Sequence, residues 1–173
     1  MTALIVVESM FGNTRAIADR VAASLETVLP VQVVDVAGAP HELPEGTTLL
    51  VVGAPTHAFG MSREASRVEA VNRGATAVVQ VGIREWLGSI AGLTPGLQVA
   101  AFDTRVRRVG LKGSAAKAAA RRLRHDGCDL IVEPMSFWVD GTPGPLLAGE
   151  SQRAEAWGAE LGRLLQQGHP AHP

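Results

Sequence analysis

At 173 residues the chain is long enough to bury one substantial core, and a hydrophobic content of 46% marks a globular protein rather than a disordered one. A formal net charge of −1 supplies no global attraction to nucleic acid or membrane, and no apolar run reaches the roughly 18–20 residues of a membrane helix. The start MTALIVVES lacks the features of a secretion signal, and the single cysteine, Cys128, excludes an internal disulfide, so a cytoplasmic location is expected.

Residues 3–8, ALIVVE, form an almost unbroken β-branched run, the pattern of a strand covered on both faces. From Asn13 the period becomes helical, with Ile17, Val21, Leu25 and Val28 on one stripe and Pro30 closing it. VQVVDV at 31–36 reads as a second strand. The connection AGAPHELPEG is crowded with turn-formers and has room for little more than one helical turn. TLLVVG at 48–53 is the third strand, ending in the loop APTHAFG. A helix over 62–73 is expected, opened by Ser62.

Within 74–96 the pattern supports only a short helix around REWLGSI at 84–90, anchored by Trp86. LQVAAF at 97–102 is the fourth strand, followed by the loop DTRVRRVGLKG. An alanine-rich helix over 114–126 buries Ala116, Ala119 and Leu123 and stops at Gly127. DLIV and MSFWV, divided by Glu133 and Pro134, read as an interrupted fifth strand. The last helix, from about 150 to 167, buries Ala154, Trp157, Leu161 and Leu164; residues 168–173 read as a disordered tail to a single domain of 1–167. Trp138 and Trp157 read as core residues, and Cys128 as a small buried hydrophobe.

Five strands separated mostly by helices predict an α/β fold with a parallel sheet covered on both faces. Ligands of such sheets bind beyond the carboxyl ends of the strands. The loops ESMFGNT, APTHAFG and DTRVRRVGLKG are therefore expected together. A helix start presents unpartnered N–H groups and partial positive charge, so the first loop can hold a phosphate without a cationic side chain. Gly12 permits a close backbone approach or a positive φ, Asn13 is a good N-cap, and Ser9 and Thr14 offer hydroxyls. Neither GxxxxGK[ST] nor GxGxxG is present, which points to a monophosphate. Glu8, beside this loop, is expected to turn away from the phosphate or to pair with Arg15.

The run Ser9-Met10-Phe11-Gly12-Asn13-Thr14 resembles the phosphate loop Ser/Thr-x-Thr-Gly-x-Thr of the flavodoxin family, with Phe11 in place of its second hydroxyl. The element order and the Gly-x-Pro-Thr of GAPTHAFG extend the resemblance over nearly the whole chain. It implies a doubly wound five-stranded parallel sheet with strand order 2-1-3-4-5, and bound flavin mononucleotide (FMN). The phosphate would sit on residues 9–14. The ring would lie between Pro55, Thr56, His57, Ala58, Phe59 and Gly60 on one side and Asp103, Thr104 and Arg105 on the other, with Asp103 bonded to the pyrimidine edge.

The chain has no tyrosine, so the ring cover common in that family falls to Phe59 or His57 on one face and Val106 or Arg105 on the other. Eight of the 16 basic residues lie between Arg105 and Arg124: Arg105, Arg107, Arg108, Lys112, Lys117, Arg121, Arg122 and Arg124. They form either a solvated helix face or a rim for an acidic redox protein or the phosphates of a nicotinamide cofactor. Without interleaved aromatics, nucleic acid is not expected. Two functions remain: FMN-based electron transfer or oxidoreduction, and a binding or regulatory module whose flavin site is degenerate.

Overall fold

In this computed structural model the described residues are 1–57, 60–77, 80–107 and 113–168. Ala3 to Val7 are all buried, and this apolar run forms β1 (Thr2–Val7) as an interior strand. β2 (Val31–Asp35) pairs with it on one side and β3 (Thr47–Pro55) on the other, both parallel. β4 (Gln98–Val106) lies beyond β3. The interrupted fifth strand is two pieces, β5 (Asp129–Leu130) and β6 (Met135–Val139). The first pairs with Gln98 and Val99 at the start of β4, the second with Phe102 to Val106 at its end. Pro134, which has no N–H for the ladder, falls in the break. The order 2-1-3-4-5 is thus observed.

Two apolar layers cover the sheet. Ile5, Val7, Leu49, Val51 and Phe102 face α1 (Asn13–Leu25) and α5 (Glu150–Gly168), through Ile17, Val21, Leu25, Trp157 and Leu161. Leu4, Val6, Leu50, Val52 and Ala101 face α3 (Ile83–Ser89) and α4 (Ala115–His125), through Trp86, Leu87, Ala116, Ala119 and Leu123. The one-residue alternation between the two sets is the pleat of a strand buried on both sides. Phe102, Phe137 and Trp157 meet edge to face, with centroids 5.9–6.2 Å apart. Cys128 is buried as expected, and Leu165 rather than Leu164 fills the last buried position of α5.

The connection after β2 holds only a single 3₁₀ turn, Val36–Gly38, and Trp86 anchors α3 by donating its indole N–H to the Pro40 carbonyl (2.9 Å). Two expectations need correction. α2 (Glu64–Asn72) begins two residues later than expected; the extended Arg63 precedes it, and Ser62 is buried with its hydroxyl accepting from Arg67 (3.0 Å). Trp138 is half-buried rather than core, because Phe137 takes the inward place on β6 and the next side chain must turn the other way. The Arg105 guanidinium lies 5.8 Å from its ring centroid. The last five residues of the expected tail, like Ala58, Phe59, Arg108 and Lys112, lie outside the described residues. Among the described residues, no helix is long and apolar enough to cross a membrane.

Gly53 of β3 is needed for space. A Cβ there would overlap the Phe102 ring. Gly53→Ala should lower unfolding free energy by about 1–3 kcal/mol in denaturant titrations. Gly53→Ala with Phe102→Leu should be less unstable than the sum of the two single changes.

Candidate functional site

The β1–α1 junction sets the floor of the site. Gly12 adopts φ +88° and ψ −15°, with no atom within 4 Å of where a Cβ would stand, so backbone conformation rather than crowding requires glycine. Gly12, not Asn13, occupies the N-cap position of α1; the Asn13 amide donates instead to the Pro143 carbonyl (3.1 Å), tying this loop to the one after β6. The Ser9 hydroxyl accepts the Arg15 N–H (3.2 Å).

The carbonyls of the loop are turned to the protein. Met10 O accepts from Thr76 N–H (2.9 Å), Ala77 N–H (3.2 Å) and the Thr76 hydroxyl (3.1 Å), and Gly12 O accepts from Ala16 N–H (3.0 Å). The N–H groups of Met10, Phe11, Gly12, Asn13 and Thr14, by contrast, have no acceptor among the described residues. At the amino end of a thirteen-residue helix they form an electropositive cradle.

The other two loops close on this cradle. Thr14 and Thr104 share a buried hydroxyl–hydroxyl bond of 2.7 Å, and Thr56 N–H donates to Thr104 O (2.9 Å). Above them opens a cleft of about 310 Å³. Met10, Phe11, Asn13 and Thr14 line one side, Pro55, Thr56 and His57 a second, and Thr104, Arg105 and Val106 a third. Ser66, Glu69 and Arg73 of α2, Val139 of β6 and Thr142 of the loop after it complete it, and no motif marks these five in the sequence. The backbones of His57 and Gly60 bond to each other in both directions (2.9 Å each). Burial pushes the His57 pKa below its usual value, leaving a neutral imidazole at pH 7.

Asp103 stands beneath the cleft, not in its wall. Its fully buried carboxylate accepts from the Thr56 hydroxyl (2.8 Å), the Ser114 hydroxyl (2.5 Å) and Ala116 N–H (3.1 Å). Ala115 N–H in turn donates to the Thr56 hydroxyl (2.9 Å). Asp103 therefore joins the ends of β3 and β4 to the start of α4. An exposed bond to the edge of a flavin ring does not fit this burial.

Of the two expectations for Glu8 the first is met: it turns away from the loop and does not pair with Arg15. Arg15 pairs with Asp19 (2.8 Å) and Asp35 (3.1 Å), while Glu8 turns into the protein and is fully buried. Its Oε2 accepts Ile83 N–H (2.8 Å) at the start of α3. Nearby, the buried Arg67 donates to the Ser62 hydroxyl (3.0 Å), the Gln80 carbonyl (3.1 Å) and both oxygens of Glu85 (3.2 and 3.3 Å). Gly82 admits this cluster: a Cβ there would lie 2.6–2.8 Å from Arg67 Nη1, Glu8 Oε2 and Ser62 Oγ. Desolvation raises the Glu8 pKa, against the opposing pull of the Ser62 hydroxyl, Ile83 N–H and Arg67.

A raised carboxyl pKa has a definite sign in stability. The native chain keeps a proton that the unfolded chain releases above 4.5, so this contribution is complete below pH 4.5 and is lost as pH rises through the native value. Glu8→Gln, which keeps a carbonyl for Ile83 N–H, should lessen the fall in stability over that window. Parallel stability–pH curves for the two proteins would contradict the assignment.

No family model matches the chain, and no curated protein matches it. Solved structures do. A flavodoxin from the domain Archaea superposes with a TM-score of 0.67 at 19% identity, over 96% of this chain and 99% of that one. Oxidised Flavodoxin 1 from Bacillus cereus gives 0.69 at 19% identity, over 94% and 98%. The flavodiiron protein from Giardia intestinalis gives 0.63 at 16% identity, over 98% of this chain but 38% of that one. At these identities the likeness shows the fold.

Proposed function

We propose that this chain, which has the flavodoxin-like fold, binds FMN with its phosphate on residues 10–14 and serves in electron transfer or a flavin-dependent oxidoreductase reaction. One observation carries the reading: five consecutive N–H groups without acceptors among the described residues, at a helix start beyond the carboxyl end of β1. This donor set suits a phosphate. It needs no lysine, and the loop has none.

Bound FMN supplies the electron-transfer chemistry. The chain binds and orients it. The N–H groups of 10–14 hold the phosphate oxygens, and the Thr14–Thr104 hydroxyl pair has one hydrogen left over from their mutual bond to give to one of them. Glu8 turns away from the loop to Ile83 N–H. Pro55, Thr56 and His57 face Thr104, Arg105 and Val106 across the space left for the ring, and Asp103 keeps those two walls at a fixed separation. Arg105 adds positive charge to the cleft, while Arg73 is paired with Glu69 on the same wall.

The clustered positive charge of the rim suits an acidic protein partner. Within the rim, Arg122 and Arg124 are engaged by Asp126 (2.8 Å) and Glu133 (3.5 Å).

Fluorescence titrations with FMN and riboflavin test the reading. FMN should bind the tighter of the two. Thr14→Ala should weaken FMN about tenfold or more, from a charge-assisted hydrogen bond worth about 1.5–3 kcal/mol, and leave riboflavin little changed. Thr14→Ser, which keeps the hydroxyl, should retain most of the FMN affinity. Equal losses for both ligands would remove the phosphate from this loop. No binding of either would favour a binding or regulatory module on the same fold.

A further inference from the structure

A second cleft, of about 420 Å³, adjoins the first. His57, Ser66 and Glu69 line both, and Arg63 and Arg84 stand on its other walls. Arg84 donates through Nη2 to Met61 O (2.9 Å) and through Nε to Ser62 O (3.2 Å). Two neutral carbonyls thus fix the guanidinium beside Gly60, with its Nη2 3.9 Å from the position of a Gly60 Cβ. Among the described residues, its other three N–H bonds have no acceptor.

The charge of the two arginines is not cancelled. Among the described residues no carboxylate pairs with Arg63 or Arg84; Glu69, which lines the cleft, is neutralised by Arg73 (2.5 Å), and Glu85 is held by Arg67 (3.2 Å). Glu64 follows Arg63 in sequence but does not line the cleft. The neutral His57 offers a ring nitrogen without adding charge of either sign. A pre-positioned guanidinium with unused donors, backed by a second cation, is a receptor for an oxyanion.

We propose that this second cleft binds a small organic anion, a molecule bearing carboxylate or phosphate groups, and holds it beside His57 and Gly60. Its use as the substrate end of a flavin site rests on the FMN reading above; binding of the anion itself does not. The recognising chemistry is shared by carboxylates and phosphates, so the test uses one probe of each kind.

Backbone and arginine side-chain NMR spectra of the FMN-saturated protein, titrated separately with inorganic pyrophosphate and with citrate, read out the site. Saturable shifts are expected at Gly60, Arg63, Ser66 and the Arg84 Nε–H, with the amides of residues 10–14 unmoved. Arg63→Gln with Arg84→Gln should weaken the stronger probe about tenfold or more, and Arg84→Lys should recover only part of that loss. Arg63→Gln alone alters an exposed side chain and keeps the test open if the double variant does not fold. Tighter binding of pyrophosphate assigns a phosphorylated ligand, and tighter binding of citrate a carboxylated one.

Titration of the flavin-free protein separates the two claims. Shifts at residues 60–66 and Arg84 that persist in a protein unable to bind FMN would uphold the anion cleft and overturn the flavin reading. No saturable shift at these positions in either form, or shifts unaltered by the arginine substitutions, would overturn the anion cleft.

Discussion

Parallel pairing of β1 with β2 on one side and β3 on the other is the constraint from which the site follows. The chain must leave β1 toward one face of the sheet and β3 toward the opposite face, because each crossover is right-handed. Beyond the carboxyl ends of these strands the backbone diverges and opens a crevice. Apolar residues on both faces of β1 hold that arrangement. The crevice then meets the unpartnered N–H groups of Met10 to Thr14, an electrostatic feature built from main chain alone. Side chains chiefly decide which way this backbone points. The Thr76 hydroxyl joins Thr76 and Ala77 N–H in tying back the Met10 carbonyl, and the Asn13 amide fixes the loop to Pro143.

Two buried acids support the crevice from below. A carboxylate in the interior is costly unless polar partners surround it. Asp103 gathers the Thr56 and Ser114 hydroxyls and Ala116 N–H, and so couples β3, β4 and α4 at the level of the site. Glu8 gathers Ile83 N–H beside the Arg67–Glu85 pair, and so couples β1 to α2 and α3. Their other oxygens, Glu8 Oε1 and Asp103 Oδ1, are buried without a partner among the described residues. Both acids sit where a strand becomes a loop, the position at which a rigid sheet passes its geometry to a ligand.

The sheet was legible because its strands are apolar on both faces, and a run such as ALIVV has few other stable fates. The break at Glu133–Pro134, the short helix around Trp86 and the reach of α5 follow from equally local signals. The junction of β1 and α1 was readable from Ser9 to Thr14 because glycine between an apolar strand and a helical period leaves few alternatives. That Glu8 turns away from the loop was readable, but not what it turns to. Its partners Ile83 and Arg67 are 75 and 59 positions away, and no local pattern reveals them. Asp103 reads as a ring-side residue, and its burial beneath the cleft was not readable, because it depends on Thr56, 47 positions away. Trp138 was misread because size suggests burial, whereas its side is set by the parity of its position relative to Phe137. The α2 wall of Ser66, Glu69 and Arg73 comes from a helix whose sequence carries charge and no motif.

The central claim is that main-chain N–H groups of residues 10–14 hold a phosphate. Amide NMR shifts of this loop test it most directly. FMN and inorganic phosphate should each move the Met10 to Thr14 amide protons downfield as hydrogen bonds form to phosphate oxygen, and riboflavin should leave them near their free positions. A flavin-saturated protein with these five amides unmoved, or moved equally by riboflavin, would contradict the account.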